Sequence, residues 1–539
     1  MSALRPGELR WRLEVTADRN VRAPIFRLAS RAGALQNWRM NAKGSELTRR
    51  EFLKTSTCAL AAAALGPSVL PAATQVEPSA KHIGLQVGAI SFVDEGTDQV
   101  LDLMQERGAV NVIYLATFTY GRGIAGRQIP NQPLPDHGKQ EYDLNFHGGN
   151  FATPHSKFYT HTSLKQTKAP DHGDLDIIAE VLPKAHRRGM KVYAWYEDAF
   201  RADIPGVEKL REVDWQGRPA GTLCPLHPDY RNFLIGLTED YCQSYEIDGV
   251  MWGSERQGPF NNALSARHGG RGDASRVTCF CEFHQKAAKE RGIDVKRAKQ
   301  GFEKLNQFVR ASRANERPTD GYFVEFWRLL LDYPELLAWE KLWTDSKHAI
   351  YTDVYQAAKK SRPSVQVGFH IWHANSFSPF FRAEQNYAEF AKVADYLKIV
   401  LYNNCGGPRY AEYINNVGSS LFHDVPKDEL MRLHNEWLDY PSEAPFHEVA
   451  AKGLSSDYVL RETKRALADV QGKCRIYPGI DIDIPTGAND KKTTPDDVYA
   501  ATGAALKAGA QGVVLSRKYS EMKLANLAAA GKAVRESAK

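Results

Sequence analysis

From residue 82 onward the chain repeats one pattern: a short apolar run, a loop, then an amphipathic stretch. The runs are HIGLQVGAISF (82–92), NVIYLATFTY (111–120), KVYAWYED (191–198), DGVMWGSE (248–255), VQVGFHIWH (365–373), YLKIVLYNN (396–404), CRIYPGIDID (474–483) and GVVLSRKY (512–519). Each is rich in β-branched and aromatic residues and nearly continuous in apolar character, as strands covered on both faces must be. The stretches between them have a helical period. Residues 175–189 put Ile178, Leu182 and Ala185 on one side and stop at Gly189. Residues 228–245 open on Pro228 and carry Phe233, Leu237 and Tyr241 at helical spacing. Residues 495–507 place Asp496 and Asp497 at a helix start, where the dipole favours negative charge.

Eight strands joined by helical crossovers predict a (β/α)8 barrel over residues 82–536. The competing architecture is an open doubly wound sheet. No Gly-rich phosphate loop follows the first run, which argues against a dinucleotide site. The segments 121–172, 199–227, 256–320 and 405–453 are long and follow strand ends, so they fall on the face where barrels carry their active sites. Assembly contacts are the other use for such loops, so a homo-oligomer stays open.

The formal charge of +6 is a property of the front end. Residues 1–73 hold 12 Lys and Arg against 5 Asp and Glu, leaving 58 against 59 in the remainder. A nucleic-acid binder would keep its basic excess in the folded part, so that class is excluded. Residues 45–73, SELTRREFLKTSTCALAAAALGPSVLPAA, resemble a twin-arginine (Tat) export signal, with Arg49–Arg50, Phe52–Leu53–Lys54, a modest apolar run and small residues near Ala72. The signal is assigned to residues 40–73, and residues 1–39 are a disordered extension or precede the true start. The apolar run is too short for a stable span, and no other segment reaches transmembrane length. These features imply handling by the Tat machinery and a periplasmic or secreted location.

Export leaves six cysteines: Cys224, Cys242, Cys279, Cys281, Cys405 and Cys474. Two of them lie with His284 in CFCEFH, inside the loop insertion at about 256–320, and Cys224 lies in TLCPLHPDYR. Three thiolates and one imidazole are a donor set that tetrahedral structural zinc prefers. Reduced packed cysteines and a disulfide arrangement are the alternatives, although Cys-x-Cys closes too small a ring for an unstrained disulfide.

CPLHPDYR, DGVMWGSERQG and CFCEFH together resemble the metal-bearing segment of family 42 glycoside hydrolases, the bacterial β-galactosidases, over residues 222–290. The resemblance implies zinc at Cys224, Cys279 and Cys281, with His284 where the family has its last Cys. It also implies that Glu255, ending the fourth strand, is the acid/base. Strand 7 departs from the family, with GIDID in place of a nucleophilic Glu, and Ser254 stands where Asn is usual.

Glycosidic cleavage needs two carboxyl groups in one cleft, one to protonate the leaving oxygen and one to attack or to activate water. Glu255 is the leading candidate, and Asp483 or Asp481 the expected partner. Glu197 and Asp198, ending strand 3, are a further option as base or sugar ligand. Tyr196, Trp252, Arg256, His370, Trp372, His373, Asn403 and Arg517 stand at strand ends and are candidate sugar contacts. The reading is an exported glycoside hydrolase acting on carbohydrate. A divalent-metal sugar isomerase or lyase built on Glu255, His370 or His373, Asp481 and Asp483 is one alternative. A non-catalytic glycan-binding barrel is the other.

Overall fold

The computed structural model describes residues 81–120, 125–165, 167–198 and 204–537. The leader at 40–73, the extension at 1–39 and Cys58 lie outside them.

All eight expected strands form: β1 (His82–Val87), β2 (Val112–Tyr120), β3 (Lys191–Glu197), β4 (Gly249–Gly253), β5 (Gln366–Ile371), β6 (Tyr396–Val400), β7 (Arg475–Asp481) and β8 (Gly512–Ser516). Each pairs in parallel with the next, and β1 pairs with both β2 and β8, with Gly84 opposite Val112 and His82 opposite Gly512. The sheet closes on itself. This is a (β/α)8 TIM barrel, and the open doubly wound alternative is set aside.

The crossovers are α1 (Thr97–Gly108), α2 (Ile177–Arg187), α3 (Pro228–Ser244), α4 (Glu335–Ser361), α5 (Ser456–Val470) and α6 (Pro495–Lys507), and α7 (Leu524–Glu536) follows β8. Between β5 and β6 the crossover is three short helices over Ala374–Phe377, Pro379–Glu384 and Tyr387–Phe390. The first run is shorter than its apolar length suggests, because a helix over Ala89–Glu95 follows β1. Local chemistry sets the ends. Asp176 caps α2 by accepting from the Ile178 and Ala179 amides, and Gly189 leaves it at φ 71°. Thr494 and Asp497 form a reciprocal capping box at the start of α6.

The barrel interior is filled by size complementarity. Tyr114, Tyr193, Tyr396 and Tyr477 point inward with Val112, Ala116, Trp195, Met251 and Val514. His82 stacks on Tyr477 at 4.0 Å and bonds the Tyr114 hydroxyl at 2.8 Å. Burial, with help from Lys191 and Arg475, holds this imidazole down at about 3, so it stays neutral. Glycines on neighbouring strands make the room: a Cβ on Gly368 would stand 2.2 Å from the Tyr396 ring, and one on Gly84 2.4 Å from Tyr114.

The long loop after β4 folds into helices over Pro259–Ala263, Glu282–Glu290, Val295–Arg313 and Tyr322–Asp332 before α4. The loop after β3 contains an antiparallel hairpin of Arg211–Val213 with Pro219–Leu223, which the sequence reading did not anticipate.

Gly368→Ala should cost about 1–3 kcal/mol by overpacking the tyrosine layer. Gly503→Ala, inside α6 with nothing within 4 Å of its new Cβ, should stabilise by roughly 0.5–1 kcal/mol. Thermal melts of the two variants check both signs.

Candidate active site and thiolate cluster

Inward positions alternate along each strand, so the layer above the tyrosines consists of Glu197 on β3, Glu255 just beyond β4, His370 on β5 and Lys398 on β6. Two glycines hold the space: a Cβ on Gly253 would meet His370 at 2.8 Å, and one on Gly479 would meet the Lys398 stem at 2.7 Å.

These groups form a chain. Lys398 Nζ lies 3.2 Å from His370 Nδ1 and donates to the Tyr402 hydroxyl at 2.6 Å. A protonated lysine has only donors, so His370 Nδ1 accepts. Its Nε2–H then donates to Glu255 Oε1 at 2.9 Å. Beyond Tyr402, Ser516 donates to Gln86 at 2.6 Å.

The electrostatics split the two glutamates. Burial pushes the Glu197 carboxyl up to about 8, and the charges of Glu255 and Asp198 add to it against Arg517 and Lys398. Burial also acts upward on Glu255, but the bond from His370, with the electrostatic influence of His370, Arg409 and His268, outweighs it and holds this carboxyl down at about 2. The two imidazoles are charged only in acid, so at neutral pH the His370 Nε2–H bond and the Arg409 charge are what remain. Its side chain is 49% exposed, so it stands in a concavity that solvent enters. Burial lowers Lys398 to about 7 and His370 to about 4, the latter aided by Lys398. At neutral pH the mouth therefore holds a protonated Glu197 beside an ionised Glu255. Two carboxyls driven apart in this way are suited to acid and base roles.

Several expected mouth residues do other work. Tyr196 and Trp252 have the outward parity: Tyr196 bonds the Thr238 hydroxyl on α3 at 2.6 Å, and Trp252 packs edge-on against Tyr351 of α4. Asp198 is sealed, accepting from Tyr230 at 2.7 Å, Ser254 at 2.5 Å and Arg256 at 3.0 Å. Arg256 spans Asp198 and Glu212 and donates to the Leu223 carbonyl, so it braces the loop instead of meeting sugar. Asp481 is wholly buried and accepts from the Cys405 and Ile484 amides, which ties down the loops after β6 and β7. Asp483 lies 3.9 Å from Lys523, and the charges acting on it are those of Lys523, Asp481, Glu521 and Asp136. The strand-7 acids thus have partners of their own, and Arg409 acts electrostatically on both Asp481 and Glu255.

His373 is buried between the Tyr458 hydroxyl at 3.1 Å and Arg409 at 3.2 Å. Trp372 packs edge-on against Phe381 and 5.2 Å from the His268 ring. Asn403 begins the helix over Asn403–Val417, with its Oδ1 buried and unbonded. Arg517 is paired with Glu521 at 2.8 Å and acts electrostatically on Glu197.

Lys398, Tyr402, Arg409 and His268 were not among the expected site residues. Only Lys398 had a signal, a lone cation inside the apolar run YLKIVLYNN.

Cys224, Cys279, Cys281 and His284 converge, with all four donor atoms within 4.8 Å of one another. Cys224 Sγ is 3.4 Å from Cys281 Sγ and 3.3 Å from His284 Nδ1, and Cys281 Sγ is 3.6 Å from that nitrogen. Zinc–sulfur bonds of about 2.3 Å in a tetrahedron give edges of this size, so the donor set fits zinc. The far ring nitrogen, Nε2, faces Ser346 Oγ at 3.4 Å. All six described cysteines are free thiols, which sets aside the disulfide arrangement. The cluster joins the 211–223 hairpin to the 282–290 helix. Glu212 lies next to it, held by Thr222, Thr278, Trp343 and Arg256. Among the described residues this is the only grouping of three or more His, Cys, Asp or Glu placed to hold an ion, so the oxygen-rich site of the isomerase reading is not assembled.

No family model and no curated protein matches the chain. Solved structures share the barrel. An α-L-fucosidase isoenzyme 2 from Paenibacillus thiaminolyticus is 12% identical with a TM-score of 0.43, over 85% of this chain and 49% of that one. A β-galactosidase from the Antarctic haloarchaeon Halorubrum lacusprofundi is 13% identical with a TM-score of 0.47, over 85% and 58%. A chitinase from Chromobacterium violaceum is 8% identical with a TM-score of 0.33, over 85% and 99%. The chain thus spans about half the length of the fucosidase. These neighbours are named as glycoside hydrolases, and likenesses this weak carry no argument about this chain.

Arg256→Met should destabilise by about 3–5 kcal/mol, because Asp198 and Glu212 would stay buried without their cation. Urea unfolding measures it, and a change below about 1 kcal/mol would refute the bracing role.

Proposed function

We propose that this protein is a glycoside hydrolase-like enzyme in which Glu197 is the general acid and Glu255 the reacting carboxylate. The supporting observation is the pair of carboxyls at the open end of the barrel, one buried beside other acids and the other bonded to His370. Glu197 holds a proton at neutral pH that it can give to a leaving glycosidic oxygen. Glu255 is held ionised and oriented by His370, ready to attack the anomeric carbon or to draw a proton from water. This exchanges the role that the family resemblance implied for Glu255. A carboxyl held at about 2 is a poor proton donor, whereas one held at about 8 is a ready one.

Lys398 supports the assignment through His370. Burial, aided by Lys398, keeps the imidazole neutral, and the Lys398 contact at Nδ1 leaves the Nε2–H directed at Glu255. Arg517 and Arg409 bring positive charge to either side of the pair and are the proposed hydroxyl-binding groups.

The Cys224, Cys279, Cys281 and His284 group is proposed as a structural zinc site. When bound, zinc would fix the hairpin that carries Glu212, and through Arg256 the strand end that carries Glu255. Four protein ligands leave no open position, so the site supplies no reacting water. The leader makes the periplasm or exterior the proposed location, reached by a route that carries folded protein.

Glu255→Gln and Glu197→Gln should each abolish cleavage of an aryl glycoside panel while leaving glycan binding intact. Binding that survives both changes without wild-type turnover would favour a non-catalytic barrel. Wild-type activity should fall as pH rises through about 8, where Glu197 loses its proton. Glu197 is also a burden on the fold. Its folded pKa lies above the unfolded value of about 4.3, so at neutral pH folding requires proton uptake. Glu197→Gln should therefore raise stability by about 1–3 kcal/mol near pH 7 while removing activity, and a loss of stability would contradict the assignment.

Metal analysis should find about one zinc per chain, and Cys281→Ser should lower both zinc content and Tm. Full stability after exhaustive chelation would count against the clip.

A further inference from the structure

The helix over Tyr322–Asp332, YFVEFWRLLLD, is apolar almost all round, a pattern expected of a helix buried on every side. Only Tyr322 and Phe326 are fully buried. Phe323, Val324, Trp327 and Leu331 stand 46–69% exposed on the other side. Trp437 is 55% exposed.

These side chains form a surface and not a scatter. Phe323 lies parallel to Trp327 at 6.5 Å and to Phe422 at 6.1 Å, and Phe422 meets Trp437 at 6.4 Å. Of the ten large apolar side chains that are exposed among the described residues, five fall here (Phe323, Val324, Trp327, Leu331 and Trp437), so the clustering calls for a partner. The surface is also preformed. Asp424 accepts from the Tyr322 amide at 2.8 Å and from Arg317 at 2.7 Å, and Tyr322 stacks on His423 at 4.7 Å. Binding there would need little ordering of the backbone, which is the costly part of association.

We propose that this face is a two-fold interface between copies of this chain. Charge placement and area both point to a second copy. Arg328 sits on the helix beside the apolar stripe, 2.5 Å from Glu325 and 2.7 Å from Asp320. A two-fold axis crossing the helix near Trp327 runs the two copies antiparallel. Placed between Phe326 and Trp327, the axis sets Glu325 against Arg328 of the other copy and Phe323 against Leu330, next to Leu331, as an isologous contact requires. Half-exposed aromatic and leucine side chains offer on the order of 80–100 Å² each, so five give about 450 Å² per copy, and the stems of Glu325 and Arg328 at the rim bring the pair to about 1,000 Å². That reaches the lower bound for a specific interface. Aliphatic Val324 and Leu331 suit another protein surface better than a sugar ring. Trp327, central in the patch and flanked by Arg328, has the composition of an interface anchor.

Sedimentation equilibrium of the full chain at micromolar concentration tests the proposal. The expected result is a dimer. Trp327→Asp and Leu331→Asp should each weaken it at least tenfold with an unchanged circular dichroism spectrum, whereas Leu144→Asp, exposed elsewhere, should leave it intact. If the aspartates perturb folding, Arg328→Glu supplies the second arm: it should weaken the dimer, and adding Glu325→Arg should restore it. A monomeric wild type overturns the proposal, as does a dimer indifferent to all three single changes. So does a monomer that is retarded by soluble xylan and released by Trp327→Asp, which would assign the face to glycan.

Discussion

A closed barrel of eight strands leaves an interior only as wide as its side chains, and here the lower part is filled by tyrosines. That plug is dry. Whatever charge stands in the next layer has protein beneath it and water only above. Burial is the largest influence on Glu197, Glu255, His370 and Lys398 alike, and it acts on each in the direction that opposes charge. Only Glu255 gains enough partners to overcome it. One geometric fact, the filled floor, thus yields one neutral acid, one neutral imidazole, one weakened ammonium and one true carboxylate.

The walls of the mouth depend on braces behind the sheet. Asp198 and Glu212 flank the guanidinium of Arg256, and Lys347 donates to the carbonyls of Ser254 and Arg256 on either side of Glu255. Glu255 therefore sits on a segment fixed from beneath and beside, although its own side chain meets solvent. The Cys224, Cys279, Cys281 and His284 group lies next to Glu212, where a bound metal would add a second fixed point. A site held this firmly keeps its reacting atoms in place without help from the substrate.

The strands were legible because a barrel strand is covered on both faces and must be apolar throughout. The start of the helix at 495 was legible from Asp496 and Asp497, whereas the caps at Thr494 and Asp176 emerged only with the structure. The thiolate cluster was legible because Cys-x-Cys-x2-His has few other uses. Side-chain direction at the strand ends was the hard part, since one residue of shift turns a mouth residue into a packing residue. Tyr196 and Glu197 are neighbours with opposite fates, as are Glu255 and Arg256. Lys398 shows the same limit from the other side: its charge is visible in the sequence, but the room left for it by Gly479 is a matter of strand register. Asp481 has inward parity, but the Cys405 and Ile484 amides each donate to one of its oxygens, an engagement that its place in the sequence did not show.

The central claim is a proton that resides on Glu197 and not on Glu255. Difference infrared spectroscopy near neutral pH reads it directly, comparing wild type with Glu197→Gln and with Glu255→Gln. The account predicts a protonated-carboxyl band that vanishes in Glu197→Gln, persists in Glu255→Gln and is lost from wild type as pH rises through about 8. A band that instead disappears with Glu255→Gln, leaving Glu197 ionised, would contradict it.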